Sequence, residues 1–375
     1  MINKKAGHVS LIVKPTRLCN LRCSYCHDWR DGPNQTMSFK VIAQMIAKTL
    51  RDPEHDLVNF IWHGGEPTIL PVSFYRKALL VQSLFQRQNQ IIRNDIQSNG
   101  THLTYDWIRF LHSNKFGIGI SLDGPPEIHD RYRKYASGRP SFQDVKNGIQ
   151  MLRRYEIPFS VLMVIDEDAM RMGPEEIFNF FVKAEIESYG LLAAAPINYP
   201  NALPGSIVKH YIDPKRMTNF LIRIYDIWRE YANPKIKIRE IDGILQHING
   251  KSAHCTLAGG CFGHYYLIDP NGDVSHCDLF LGDPRYSLGN ILETDFNQIR
   301  NSNKFHELII SNNRTLESMQ QCEEFELCNG WCPHQRYLSI RHDPNYSPNC
   351  CGLYELITHI RNNPPKFAKQ IAPIH

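Results

Sequence analysis

Cys19, Cys23 and Cys26 fall within eight residues of the stretch TRLCNLRCSYCHDWR, near the start of a 375-residue chain. Thiolates spaced C-x3-C-x2-C converge on one iron-sulfur cubane when a tight loop turns all three sulfurs inward. Four irons need four ligands, so three local cysteines leave one iron open to an outside ligand. Such a cluster is a reaction centre rather than a plain electron carrier. A structural zinc loop is the competing reading, but zinc favours pairs of C-x2-C knuckles with a fourth ligand, which makes it the weaker one.

The polar segments HGGEP, QSNGT and SLDGP recur down the chain, each at the end of a β-rich run. VSLIVKP, VNFIWHGG, IIRNDIQSNG, FGIGISLDG, PFSVLMVID and SYGLLAAAP read as strands. SFKVIAQMIAKTL, PVSFYRKALLVQSLF, YDWIRFLHSN, FQDVKNGIQMLRRY and EEIFNFFVKAE carry apolar residues at helical spacing. Alternating units of this length imply parallel strands joined by right-handed crossovers. Six units fall short of a closed eight-fold barrel, so the expected fold class is α/β, a partial (β/α)6 TIM-like barrel with chemistry at the C-terminal strand ends. A helix over MTNFLIRIYDIWREYA and a basic linker follow, and past residue 250 the chain is loop-rich with eight of its eleven cysteines. The expected division is a barrel over 1–235, a linker over 236–254, a cysteine-rich domain over 255–355 and a tail over 356–375.

Composition narrows the function classes. A chain that is 42% hydrophobic and 21% charged buries a large core. Its net charge of +4 is spread out rather than gathered in basic runs, which argues against nucleic-acid binding. No signal peptide opens the chain and no apolar run approaches the ~20 residues of a membrane span. A cytoplasmic protein without membrane contact is expected, and clustered cysteines in a reducing compartment point to metal or redox chemistry.

The motifs together resemble the radical S-adenosylmethionine (radical SAM) enzymes, whose defining feature is CxxxCxxC after the first barrel strand. The resemblance implies that Cys19, Cys23 and Cys26 hold a [4Fe–4S] cluster whose open iron is chelated by SAM. Gly64, Gly65 and Glu66 match the GGEP segment that meets the methionine amino group. Tyr25 stands where an aromatic residue approaches the adenine, and Ser98 and Asn99 lie in the third strand-end motif. Ser121, Asp123 and Arg133 match positions contacting the ribose and carboxylate. The implied chemistry is reductive cleavage of SAM to a 5′-deoxyadenosyl radical that abstracts a hydrogen atom from the substrate.

The remaining cysteines resemble the SPASM extension of that family. NGD before Cys277 reads as a hairpin turn bringing Cys261 and Cys277 together. By resemblance, Cys255, Cys261, Cys277 and Cys332 hold one fully ligated auxiliary [4Fe–4S] cluster. The second auxiliary set departs from the pattern, because Met319 stands three residues before Cys322 where a cysteine is expected. Cys322, Cys328 and one of Cys350 and Cys351 remain, with CGLY favouring Cys351. An open iron ranks first, ahead of rescue by Cys350 or the loss of the second cluster, and zinc is the structural alternative. Asp278, beside Cys277, matches a carboxylate that accepts a substrate proton in sulfatase-maturing relatives; capping a turn is the plainer role. His27, His63 and His276 read as core or surface residues.

An electron-transfer or scaffold protein would not need GGEP and SLDGP beside an open cluster, so an enzyme is expected, acting on a peptide or protein side chain. Met319 and NGWCPHQR favour maturation of a ribosomal precursor peptide, through a cyclophane-type C–C crosslink or another oxidation. The alternative is conversion of a sulfatase Cys or Ser to formylglycine, favoured by CDLFLGDPRYSLGNI and the overall length. Expected partners are the peptide, a flavodoxin or ferredoxin reductant and a possible separate peptide-recognition protein, since no peptide-binding domain precedes the barrel.

Overall fold

The six runs rich in aliphatic residues form strands β1 (His8–Val13), β2 (Leu57–Trp62), β3 (Ile91–Ser98), β4 (Gly117–Ser121), β5 (Phe159–Ile165) and β6 (Ser188–Ala193). The computed structural model describes residues 7–26, 28, 35–196, 210–251, 255–280 and 283–366. Helices α1 (Phe39–Arg51), α2 (Val72–Phe85), α3 (Tyr105–Asn114), α4 (Pro126–Tyr132), α5 (Phe142–Arg154), α6 (Glu167–Met172) and α7 (Pro174–Lys183) alternate with them, and α8 (Pro214–Tyr231) follows. Side-chain caps start several of these helices: Ser38 accepts from Val41 N–H, Thr104 from Trp107 N–H and Asp213 from Arg216 N–H. Among the described residues no helix is long and apolar enough to cross a membrane.

The chain divides into two compact units, one made of Met1–Ser121, Tyr132–Phe159 and Gly260–Ser311, the other of Leu122–Arg131, Ser160–Gly259 and Asn312–His375. This differs from the expected split near residues 236–254. The reason lies in strand pairing: β8 (Tyr265–Ile268) lies parallel to β1, with Ser10 opposite Tyr265, so the segment after Gly260 joins the first unit's sheet. β9 (Asp273–Ser275) and β10 (Ser287–Asn290) continue it antiparallel, and the strand order there is β10-β9-β8-β1-β2-β3-β4. The NGD turn does join β8 to β9, with Gly272 in the left-handed region at φ +93°. Val9, Leu11, Val13, Val58, Phe60 and Trp62, alternate residues on one face of each strand, are fully buried, whereas the other face of β2 is half-buried.

In the second unit β5 and β6 pair in parallel, and β7 (Lys237–Ile238) adds to β6. The expected linker is therefore structured. In its KIKIRE run the basic residues alternate with Ile236 and Ile238, which are buried, and α9 (Arg239–Ile248) buries Ile241 and Ile244. The remaining helices along the chain are α10 (Phe296–Arg300), α11 (Asn303–Glu317), α12 (Phe325–Cys328), α13 (Pro333–His342) and α14 (Tyr354–Asn362). The expected tail begins as α14, which packs on α8 and buries Leu356, Ile357 and Ile360; residues 367–375 lie outside the described residues.

Candidate active site

The loop after β1 is built by its neighbours. Arg22 N–H donates to Lys134 C=O at 2.7 Å, Ser24 N–H to Tyr132 C=O at 3.0 Å, and Leu21 bridges Tyr135. Cys26 N–H returns to Cys23 C=O at 3.2 Å, closing a turn. The three sulfurs lie close enough for their charges to act on one another. Leu21 N–H points at Cys19 Sγ from 3.3 Å, and the Asn99 amide lies 3.9 Å away. Burial first, then the Glu66 carboxylate, pushes the Cys19 thiol up to about 12; burial and Asp28 do the same to Cys26. These thiols stay protonated until a strong cation replaces the protons, and bound iron is such a cation. Three mutually facing soft donors with no fourth cysteine in the loop fit a cubane with one iron left for an outside ligand.

GGEP explains itself in the structure. Gly64 (φ +81°) and Gly65 (φ +45°) carry the chain over Lys14 and Leu18; a Cβ on Gly64 would sit 2.6 Å from Lys14 Cγ, and one on Gly65 would sit 2.2 Å from Leu18 O. Glu66, 1% exposed, is then held by four donors. Its Oε1 accepts from Thr68 N–H at 2.9 Å, Thr68 Oγ1 at 2.6 Å and Ser98 Oγ at 2.8 Å, and its Oε2 accepts from Asn99 N–H at 2.6 Å. Asn99 also donates to Asn20 Oδ1 at 2.8 Å. The structure thus brings Glu66, Ser98, Asn99 and Cys19 into one cluster of contacts.

Arg133, nearly buried, donates to the Tyr25 hydroxyl at 2.5 Å, its Cζ 6.0 Å from that ring's centroid. Ser121 Oγ accepts from Gln97 at 3.0 Å. Asp123 belongs to the second unit. Its Oδ1 accepts Val164 N–H at 3.0 Å and its own N–H donates to His129 Nδ1, so part of the carboxylate expected on SAM is committed to the scaffold.

A network the sequence reading missed lies behind the loop. Lys14 and Arg17, 2% and 1% exposed, both pair with Asp28, Arg17 Nη1 at 3.2 Å, and Arg17 Nε donates to Asp269 at 2.9 Å. Burial opposes ionisation of Asp28, but Lys14, His63 and Arg17 outweigh it and hold the carboxyl well below the usual carboxylate range. His63 Nδ1 is 3.9 Å from Asp28 and 3.7 Å from Asp278. Asp278 Oδ1 is in turn 3.6 Å from Cys277 Sγ. The signal available was KPTR, charged residues directly following the apolar end of β1, LIV.

Cys261 Sγ lies 3.7 Å from His276 Nε2, and that ring stacks on Phe262 at 4.0 Å. Burial lowers His276 to about 4, so it is a neutral core histidine. His27 lies outside the described residues. Cys261 and Cys277 belong to the first unit, Cys255 and Cys332 to the second, where Cys332 directly precedes α13 without a side-chain capping bond. Within the second unit Cys322, Cys328, Cys350 and Cys351 lie close enough for their charges to act on one another. The hydrogen bond from Cys351, then the N–H groups of Gly352 and Tyr354, outweigh burial and bring Cys350 down to about 5. Among the described residues no group of three or more His, Cys, Asp or Glu stands at ion-ligand spacing.

Residues 13–173 match the radical SAM superfamily and residues 261–329 match SPASM, an iron-sulfur cluster-binding domain. The serine-type anaerobic sulfatase-maturating enzyme of Bacteroides thetaiotaomicron is 31% identical over 93% of this chain and 89% of its own length. The cysteine-type enzyme of Clostridium perfringens is 30% identical over 86% and 88%. Among solved structures, native anSMEcpe with bound AdoMet and the Cp18Cys peptide matches with a TM-score of 0.83, at 28% identity over 97% of this chain and 99% of that one. Streptococcus suis SuiB bound to its precursor peptide SuiA matches with a TM-score of 0.62 and 15% identity over 92% and 75%, a likeness of fold.

Proposed function

The chain belongs to the radical SAM enzymes that carry a SPASM iron-sulfur domain, and on that premise we propose that it is an anaerobic sulfatase-maturating enzyme, oxidising a Cys or Ser side chain of a sulfatase to formylglycine. The observation that carries this reading is the reach of the likeness to enzymes of that name, which covers 93% of the chain and so includes both the radical SAM and the SPASM region. The crosslinking of a ribosomal peptide rested on Met319 and NGWCPHQR. Its support among solved structures is a likeness of fold at 15% identity, so formylglycine formation is the better-supported reading.

SAM bound at the open iron of a [4Fe–4S] cluster supplies a 5′-deoxyadenosyl radical able to take a hydrogen atom from a substrate Cβ. Cys19, Cys23 and Cys26 would hold that cluster. The Gly64–Gly65 backbone and the remaining lone pair of Glu66 Oε2 would receive the methionine ammonium, with Tyr25 and Arg133 as a wall for the nucleoside. Asp278 takes the proton that the substrate thiol or hydroxyl sheds on oxidation, while the second electron would leave to an iron-sulfur cluster of the SPASM region; with Cys as substrate, water would then replace the sulfur, which departs as sulfide. His63 Nδ1 stands 3.7 Å from that carboxylate and 3.9 Å from Asp28.

The test is anaerobic incubation of the reconstituted enzyme with SAM, a flavodoxin-type or chemical reductant, and sulfatase-derived peptides bearing Cys or Ser at the target position. An aldehyde detected by hydrazide labelling and mass spectrometry is expected, with Asp278→Asn lowering aldehyde more than 5′-deoxyadenosine. No aldehyde from either peptide, while SAM is still cleaved, sinks this reading and leaves the family assignment standing.

A further inference from the structure

We infer that Cys350 is a ligand of the second auxiliary iron-sulfur site, completing with Cys322, Cys328 and Cys351 a four-thiolate set in which Met319 has no part. The four sulfurs lie within electrostatic reach of one another in the second unit, Cys322 and Cys350 line the same cleft, and Cys350 adjoins Cys351 in the chain. A cubane is held by four thiolates, and this set supplies them without a thioether. The inference concerns the SPASM region alone and is independent of which side chain the enzyme oxidises.

Consecutive residues of an extended chain point to opposite sides, so Cys350 and Cys351 share one site only if the backbone stops being extended beside them. It does so at Gly352. That residue is left-handed at φ +97°, and its N–H turns back onto Cys350 Sγ at 3.4 Å. A Cβ there would meet Pro214 Cβ at 2.6 Å, so the curl requires glycine. Tyr354 N–H, the first of α14, also favours the thiolate form of Cys350. Backbone N–H groups aimed at a cysteine sulfur recur at Cys19 (3.3 Å, from Leu21) and Cys328 (3.3 Å, from Gly330). Such bonds stabilise thiolate ligands and set cluster potential. Cys350 therefore has the surroundings of a ligand.

Met319 has different surroundings. It is 1% exposed, and its sulfur lies beside Gly330, 3.6 Å from where a Cβ would stand, in company with Leu316. Arg336 Nη1 stands 3.4 Å from the same point, and a buried thioether among such neighbours fills core volume. Cys322 and Cys350, by contrast, line a cleft of about 630 Å³ together with Lys215, Ser347 and Tyr354.

The test uses the full chain with Cys19, Cys23 and Cys26 all changed to Ala, so that only SPASM iron remains. It is reconstituted anaerobically and read by iron and sulfide content and by Mössbauer spectra. The parent should hold about eight irons in two cubanes, and Met319→Leu should match it. Cys350→Ser should fall to between about four and seven, one cubane being lost or reduced to three irons, with an unchanged far-UV circular dichroism spectrum. Cys350→Ser keeping the parent's iron and spectrum overturns the inference, as does iron loss in Met319→Leu or a parent with a single cubane. If Cys350→Ser does not fold, iodoacetamide footprinting of the unmodified holoenzyme decides. Cys350 borders an open cleft, so protection before chelation and labelling after it are expected, whereas labelling in the iron-loaded protein overturns the assignment.

Discussion

Changing Glu66 to Gln tests whether the second strand-end motif is a rigid cradle or a loose turn. The carboxylate accepts four hydrogen bonds at 2.6–2.9 Å and is 1% exposed. A glutamine keeps most of them by placing its oxygen where Oε1 faces Thr68 and Ser98. Its amide nitrogen then stands against Asn99 N–H, donor to donor. Losing that bond to an ionised acceptor costs about 1.5–3 kcal/mol, and turning the other three from charged to neutral acceptors adds about 1 kcal/mol each. Removal of a buried charge returns part of this, for a net destabilisation of about 2–4 kcal/mol. For a unit of this size that corresponds to a fall of roughly 5–15 °C in melting temperature. Anaerobic thermal unfolding followed by circular dichroism reads it, with Ser98→Ala as a control that removes one donor and costs about 1 kcal/mol. SAM affinity by equilibrium dialysis should fall in the same variant. A Glu66→Gln melt within a degree of the wild type would refute the cradle.

Two further outcomes follow from the same geometry. Gly65→Ala places a Cβ 2.2 Å from Leu18 O in a left-handed residue, so overpacking and backbone strain should together cost about 2–4 kcal/mol and displace the cysteine loop; wild-type stability and SAM binding in that variant would contradict it. His55 is buried, with Nδ1 3.0 Å from Thr49 O and Nε2 3.3 Å from Arg300, and burial holds its pKa below the ordinary value despite the Asp52 carboxylate. Its folded pKa lies below its unfolded one, so its contribution is complete above pH ~6.5 and is lost as acid titrates the unfolded state first. Denaturation at pH 7 and pH 5 should show a smaller pH difference in His55→Gln than in the wild type, and equal differences would exclude this role.

Local chemistry was enough to read the order of β1 to β6, the helices between them, and the placing of cysteines and GGEP at strand ends, because periodicity and turn residues act over a few positions. The three-cysteine loop was legible for the same reason: its ligands are neighbours in sequence. What only the tertiary structure decided depends on partners far apart in the chain. The pairing of β8 with β1 joins residues separated by about 250 positions and overrides the domain boundary that composition suggested. KIKIRE reads as a basic linker until β6 offers it an edge to pair with. The Lys14–Arg17–Asp28–Asp269 network was hidden because four charged residues in three segments carry no periodic signal, and only burial makes their pairing obligatory. Met319 and the adjacent cysteines show the limit most plainly. Spacing counts residues along the chain and marks a missing ligand, whereas the curl at Gly352 decides which way a sulfur points.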